Sequence, residues 1–304
     1  MHRFAMCLAF FVMCLAFFIV MQYTVSIYMR GERMRYIVDH DFHIHSGGSM
    51  CSGDPEQTPA RILQYAIDEG FVAVALTDHF WDERVPMLQG GWGPDFYTSQ
   101  NWDHITKQLP LPHHDNIRFL FGAEVDMTLD GAIGISPERL DKMDILLISL
   151  SHFHMTDFTI RGEDAATPAG RAAVLLEKLE KLLDMDLPWH KIILAHLTGP
   201  KLGGGDPDAH CEVLRLMQGE RLTALFQKAA ALGVGIELNT ATFGFGNAAE
   251  REAVTAFYAH AKECGCKFTF GSDAHGAGQF LPHRERGQAM ADRLDLTEAD
   301  IFRV

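Results

Sequence analysis

Basic charge is what this sequence has least of: 26 lysines and arginines stand against 40 acids, the formal net charge is −14, and no basic stripe is visible. Duplex-binding proteins draw their main affinity from clustered cations facing phosphates, so no duplex nucleic acid is expected as a partner. A small phosphorylated substrate stays open. Cysteine is sparse, six in 304 residues, with no CxxC pair and no short secreted framework. The six are read as reduced thiols, which points to the cytoplasm, and Cys264 and Cys266, flanking a glycine before a strand, as local packing. No G-x-S-x-G elbow supplies a serine nucleophile, and no Walker-type loop cradles a phosphate. Low-complexity tracts are also absent.

Histidine, by contrast, is plentiful: sixteen residues of a type that is both a pH switch and a leading metal ligand. One long apolar run also stands out. Phe4 to Met21 is just long enough to span a bilayer, and "MCLAFFV" is followed at once by "MCLAFFI". If it inserts, Arg30, Arg33 and Arg35 outweigh Arg3 and keep the following domain in the cytoplasm. Without a small-residue cleavage site, a removed signal peptide is disfavoured. The preferred reading takes Met34 as the natural start and residues 1–33 as a misassigned extension. Residues 34–304 then form the folded domain, and a membrane is a partner only if the apolar segment is real.

From Met34 onward, apolar runs alternate with amphipathic stretches, the pattern of parallel strands joined by crossover helices. Seven strands are predicted: "RYIVDHDFHI" from Arg35, "FVAVALTDH" from Phe71, "RFLFGAEVDM" from Arg118, "ILLISLSH" from Ile145, "KIILAHLT" from Lys191, "GVGIELNT" from Gly233 and "KFTFGSDAH" from Lys267. Near-continuous Val, Ile, Leu and Phe implies burial on both faces, as in a parallel barrel or doubly wound sheet. Thr58 and Pro59 open the first helix and Gly70 closes it. "AAVLLEKLEKLLDM" from Ala172, "RLTALFQKAAALG" and "AAEREAVTAFYAHAKECG" fill later crossovers. Two stretches resist the scheme and are read as loops: Trp81 to Asn116, whose aromatics favour a lid, and "RGEDAATPAG".

Aligned by their carboxy-terminal ends, six of these strands deliver a histidine or carboxylate to one edge. Strand one ends in His43 and His45, which share a face because they stand two apart in an extended chain. Strand two ends in Asp78 and His79, strand three in Glu124 and Asp126, strand four in His152, strand five in His196, and strand seven in Asp273 and His275. In a parallel α/β barrel such residues converge on one face. Mixed imidazole and carboxylate donors suit Zn, Mn or Fe, and so many exceed one coordination sphere, so two or three divalent ions are expected. Glu124 is chosen as the bridge. Such a centre would give a metal-bound hydroxide near neutral pH and brace an in-line displacement at phosphorus.

Together, "DFHIHS", "LTDHF", "GAE", the histidine after "LLISLS", "LAHLTGP", "IELNT" and "GSDAH" resemble, in order and spacing, the motifs of the PHP (polymerase and histidinol phosphatase) metal-dependent phosphoesterases, over about Tyr36 to His283. The resemblance implies a distorted (β/α)7 TIM-like barrel and a histidinol-phosphatase-like hydrolase of a small phosphorylated metabolite. It implies one ion on His43, His45, Glu124 and Asp273, a second on Glu124, His152 and His196, and a third partly on His79 and His275. Where such proteins carry a His or Asp a few residues after the second histidine, this chain has Met50 and Cys51. Cys51 as thiolate, Asp54 reaching in, or an absent third ion are the alternatives. Arg161, Lys201, His283 and Arg284 fall on loops assigned to the active face and are the candidate phosphate clamps. His154 is expected beside the centre, Asn239 to bind a ligand or water, Glu237 to pack against a lysine, and Asp78 to orient a neighbouring ligand. His104, His113 and His114 are expected to face solvent. An amidohydrolase barrel would want a bridging lysine at the end of a middle strand, and no strand in this chain ends in one. A metal-binding regulatory module and a PHP-type nuclease are the remaining rivals.

Overall fold

Seven runs become seven parallel strands: β1 (His40–Ile44), β2 (Ala73–Leu76), β3 (Arg118–Asp126), β4 (Ile145–Ser149), β5 (Ile192–Ala195), β6 (Gly235–Asn239) and β7 (Lys267–Gly271), hydrogen-bonded in that order. The computed structural model describes residues 35–89, 93–241, 246–280 and 282–304. The apolar run, its heptad duplication and the Met34 start lie outside the described residues. Among those described, no helix is long and apolar enough to cross a membrane.

β7 returns to β1. Asp273 N donates to His43 O (2.8 Å), His45 N donates to Ala274 O (3.0 Å), and the sheet becomes a nearly closed barrel. The expected strands are all present, but shorter, because hydrogen-bonded pairing stops where the chain turns outward at each end. Inside the barrel, Phe42, Ala75, Leu120, Leu147, Ile193 and Phe302 pack together, while Val74, Val125, Ile148, Leu194, Ile236 and Phe268 face the helices. Both faces are buried, which is why the strands read as unbroken apolar runs. β1 loses register with β2 between Asp41 and Ile44. That irregularity lets Phe42 and the adjacent His43 both turn inward, as a bulge does.

The crossovers follow their caps. Helix α1 (Pro59–Glu69) begins where the Thr58 side chain accepts from Arg61 N and ends at Gly70, whose φ of 68° is left-handed. After β2 come the short α2 (Gly93–Tyr97) and α3 (Trp102–Ile105), and after β3 the short α4 (Pro137–Leu140). The segment from Trp81 is ordered by its aromatics: Trp81, Phe96 and Tyr97 pack with Met155 and Phe158 into a separate buried cluster. "RGEDAATPAG" is not a loop. It contains α5 (Gly162–Ala165) and the start of α6 (Pro168–Leu183), whose N-cap Thr167 accepts from Gly170 N. Thr167 and Pro168 repeat the signal of Thr58 and Pro59, so this helix start was legible in the chain. α7 (Pro207–Met217) and α8 (Glu220–Leu232) lead to β6; α9 (Ala248–Glu263), opened by the Asn247–Glu250 capping box, leads to β7; α10 (His283–Arg293) follows it. The four described cysteines are free thiols, and Cys266 packs its Sγ against Phe226 O (3.2 Å).

Candidate metal centre

At the carboxy-terminal mouth of the barrel the strand ends bring one acid to the middle of the imidazoles. Glu124 on β3 is buried and turns its two oxygens to different partners. Oε2 lies 3.3 Å from His43 Nε2, 3.4 Å from His45 Nε2 and 3.2 Å from His79 Nδ1; Oε1 lies 2.7 Å from His196 Nε2 and 3.7 Å from His152 Nε2. Asp273 Oδ1 completes the first group, 3.5 Å from His43 Nε2 and 3.3 Å from His45 Nε2. Around a tetrahedral ion with ligands at about 2.0–2.2 Å, neighbouring donor atoms stand about 3.3–3.6 Å apart. The observed spacings fall close to that range.

The tautomers point the same way. His43 Nδ1 donates to Glu237 Oε1 (2.8 Å), His152 Nδ1 donates to Asp126 Oδ1 (3.0 Å), and His275 Nδ1 donates to Asp273 O (2.8 Å). Ser151 Oγ gives its proton to His196 O (3.0 Å) and accepts from His196 Nδ1 (2.9 Å). Carboxylates and carbonyls only accept, so Nδ1 carries the proton in each ring and the Nε2 lone pair faces the centre. His43 Nε2 and His45 Nε2 stand 3.1 Å apart, close to the spacing of two donors on one ion. His45 and His79 are buried, and the Nδ1 of each has no hydrogen-bond partner. The donor set fits divalent ions.

Electrostatics reinforce the geometry. Burial opposes ionisation of Glu124, but the surrounding imidazoles outweigh it and hold the carboxyl well below its usual range. Burial also opposes charging His43, yet Glu237, Asp273 and Glu124 raise it well above the ordinary imidazole value. His152 is raised to about 9 by Asp126 and Glu124 against burial, while desolvation pushes His154 and His275 down to about 4. His79 is likewise driven well down by burial. His196 and Asp273 occupy left-handed backbone, at φ 29° and 54°. Non-glycine residues rarely sit there, and at both positions the strain is held by hydrogen bonds: His196 N donates to Glu237 Oε2 (2.5 Å) and Asp273 N to His43 O (2.8 Å).

Several assignments made on sequence are corrected. Glu237 packs against no lysine; it orients His43 and fixes the His196 backbone from inside β6. Gly271 on β7 makes room for this pair, since a Cβ there would meet Glu237 Oε1 at 2.0 Å and His43 Cβ at 2.5 Å. Asp78 orients no histidine: it accepts from Ser46 N and Ser46 Oγ, both at 2.6 Å. Asp54 is spent on the backbone, accepting from Glu56 N (3.0 Å) and Ala277 N (3.2 Å), and belongs to none of the close donor groups. His283 is buried and pairs with Thr240 Oγ1 (2.8 Å) and His40 O (3.3 Å), so it clamps nothing. Arg284 donates to the carbonyl of Glu69, at the end of α1 that feeds the opposite mouth of the barrel. Arg161 is exposed at the start of α5 and does not line the cavity.

Above the centre lies a cavity of about 520 Å³, walled by His79, Glu124, His152, His196, Asp273 and His275 on its floor and by Phe96, His154, Met155, Asn239, Lys201 and Arg251 on its sides. Of the four clamp candidates, Lys201 lines this cavity. Arg251 was overlooked; it stands in the first turn of α9, directly after the loop that leaves β6, which is where barrel folds place substrate contacts. Asn239 Nδ2 approaches Asp273 Oδ2 (3.5 Å). Asp126 and the Tyr97 hydroxyl, which donates to it, form a buried support for His152. His104 pins the loop after β1 through Gly48 O (2.7 Å), whereas His113 and Asp115 remain in solvent. Replacing Glu237 with glutamine is expected to leave the barrel folded and to weaken metal binding about ten- to a hundredfold, read by chelator competition. Unchanged affinity would show that Glu237 does not orient His43 toward an ion.

No family model matches the chain. A probable phosphatase of Citrobacter koseri is 22% identical over 269 residues, covering 87% of this chain and 89% of that protein. Among solved structures, the histidinol phosphate phosphatase of Lactococcus lactis subsp. lactis Il1403, complexed with zinc, L-histidinol and phosphate, matches with a TM-score of 0.57 at 17% identity over 85% of this chain and 94% of its own. The PHP-type barrel read from the motifs is thus the fold of a solved neighbour.

Proposed function

We propose that this chain is a metal-dependent phosphoesterase that hydrolyses a small phosphorylated metabolite, with Glu124 bridging two ions. One observation carries the reading: a single buried carboxylate offers one oxygen to His43 and His45, beside Asp273, and the other to His196 and His152, at the floor of a cavity. The zinc-bearing neighbour with histidinol and phosphate, and the probable phosphatase, support it.

Divalent ions bound there would supply Lewis acidity to the phosphoryl oxygens and lower the pKa of a bound water. The chain's own residues do the rest. Asp126, Glu237 and Ser151 hold His152, His43 and His196 in the tautomer that presents Nε2. Lys201 and Arg251 bring positive charge to the wall of an otherwise acidic protein and attract an anionic ester. Phe96 and Met155 line one side and limit water around the reacting group. A cavity of about 520 Å³ suits a metabolite rather than a polymer.

The test is metal analysis of the purified protein beside p-nitrophenyl phosphate turnover. Two or more ions per chain with chelator-sensitive hydrolysis are expected; bound metal without turnover of any phosphomonoester would overturn the enzyme reading. Arg251→Ala should raise KM about ten- to a hundredfold with metal content unchanged, the loss of one charge-assisted contact. An unaltered KM would show that Arg251 does not meet substrate.

A further inference from the structure

The chain departs from the PHP pattern at Met50 and Cys51, and the structure sorts the two. Met50 is 55% exposed, and its Sδ takes a hydrogen bond from Ser99 Oγ (3.1 Å), away from the imidazoles. Cys51 lines the cavity, and its Sγ and one donor atom each from His45, His79 and His275 all lie within 4.8 Å of one another. The turn that carries it is fastened on both sides: Gln100 Oε1 accepts from Met50 N (3.1 Å) and Ser49 Oγ (3.3 Å), and Ser52 Oγ donates to His275 O (2.6 Å).

Independently of the thiol, the site holds unspent donors. His79 is 6% exposed, and its Nδ1, 3.2 Å from Glu124 Oε2, makes no hydrogen bond, while the Nδ1 of His275 is spent on Asp273 O. The His45 ring stacks on His275, centroids 4.1 Å apart, and leaves its own Nδ1 unpartnered. Asp54, the other sequence candidate, is turned to backbone amides.

We infer that Cys51 completes a third ion site with His79 and His275, beside His45, and that its thiolate makes this site select zinc or cobalt over manganese or magnesium. The inference rests on the reading of the centre as metal-binding. Thiolate and imidazole are soft and borderline donors, whereas the His-carboxylate groups around Glu124 accept harder ions equally well. Three protein donors leave a tetrahedral ion one open position toward the cavity, the arrangement of reactive rather than structural zinc. On binding, the Sγ–H bond breaks, the proton passes to solvent and a sulfur–metal bond forms; no electrons are transferred.

The experiment uses the full chain, stripped with chelator and reloaded with cobalt(II). Expected are visible d–d bands together with a near-ultraviolet sulfur-to-cobalt charge-transfer band. Cys51→Ser should lose the charge-transfer band and one ion per chain while keeping visible absorption from the other groups. Cys51→Asp should keep the ion count without the band, which separates loss of a ligand from misfolding. Cobalt bound with no charge-transfer band, or a band and ion count that survive Cys51→Ser, overturns the thiolate site and leaves the Glu124 centre standing. A wild-type chain that takes up no cobalt overturns both.

Discussion

Glutamine in place of Glu124 lowers phosphoester turnover by roughly a thousandfold or more and empties the centre of metal. The magnitude follows from removing a preorganised charge at the reacting group, and at this position the loss is compounded. Both carboxylate oxygens are engaged, Oε1 at 2.7 Å from His196 Nε2 and Oε2 at 3.2–3.4 Å from three further histidines. Glutamine keeps one oxygen and turns an NH₂ toward whichever group loses. It also removes the negative charge that two ions would share. Metal analysis by plasma spectrometry and steady-state kinetics on the same preparation decide it: a Glu124→Gln protein that keeps its metal and its rate would leave the proposed bridge without a function.

The second large effect is a reversal of pH dependence on metal loading. In metal-free protein, His152 has its pKa raised to about 9 from an unfolded value near 6.5, so its contribution is full below about 6.5 and is lost as pH rises through about 9. His43 and His45, also raised, act in the same sense. His275 and His154, depressed to about 4, and His79, driven well down by burial, act oppositely: their cost appears only as pH falls below about 6.5. Glu124 and Asp273, both lowered, add to the loss at acid pH. Between about 6.5 and 9 the three raised histidines lose their stabilising protons, while Lys178, lowered to about 7 by burial, acts in the opposite sense; three histidines outweigh one lysine, and the melting temperature of the metal-free chain falls by a few degrees. With zinc bound the ligand rings are already deprotonated, protons no longer compete, and the melting temperature holds or rises across the same interval. Calorimetric melts with and without chelator measure both slopes. Equal slopes would mean that the imidazoles and acids are not linked through a shared ion.

Strand identity was legible because burial on both faces leaves little but Val, Ile, Leu and Phe, and a His or acid at the end of such a run stands out. The same logic picked out His43, His45, Glu124, His196 and Asp273. It failed at Glu237, where an acid inside the apolar run "GIELN" was expected to pack against a lysine; its partners, His43 and the His196 amide, lie 194 and 41 residues away in the chain. It failed again at His283 and Arg284. Position after the last strand suggested the active face, but at the start of α10 His283 is buried against Thr240 and the carbonyl of His40, and Arg284 reaches the carbonyl of Glu69.

By itself, then, the sequence determined the alternation of strands and crossovers, the shared edge on which the histidines and acids fall, and the departure at Cys51, because periodicity, caps and residue type are local properties of the chain. Which nitrogen each imidazole turns inward, which acid fixes it, that Cys51 and not Asp54 stands close to His79 and His275, and which cations reach the cavity were decided by the tertiary structure alone. Those are questions of direction and distance between residues far apart in the chain, and they acquire values only when β7 returns to β1 and the barrel closes.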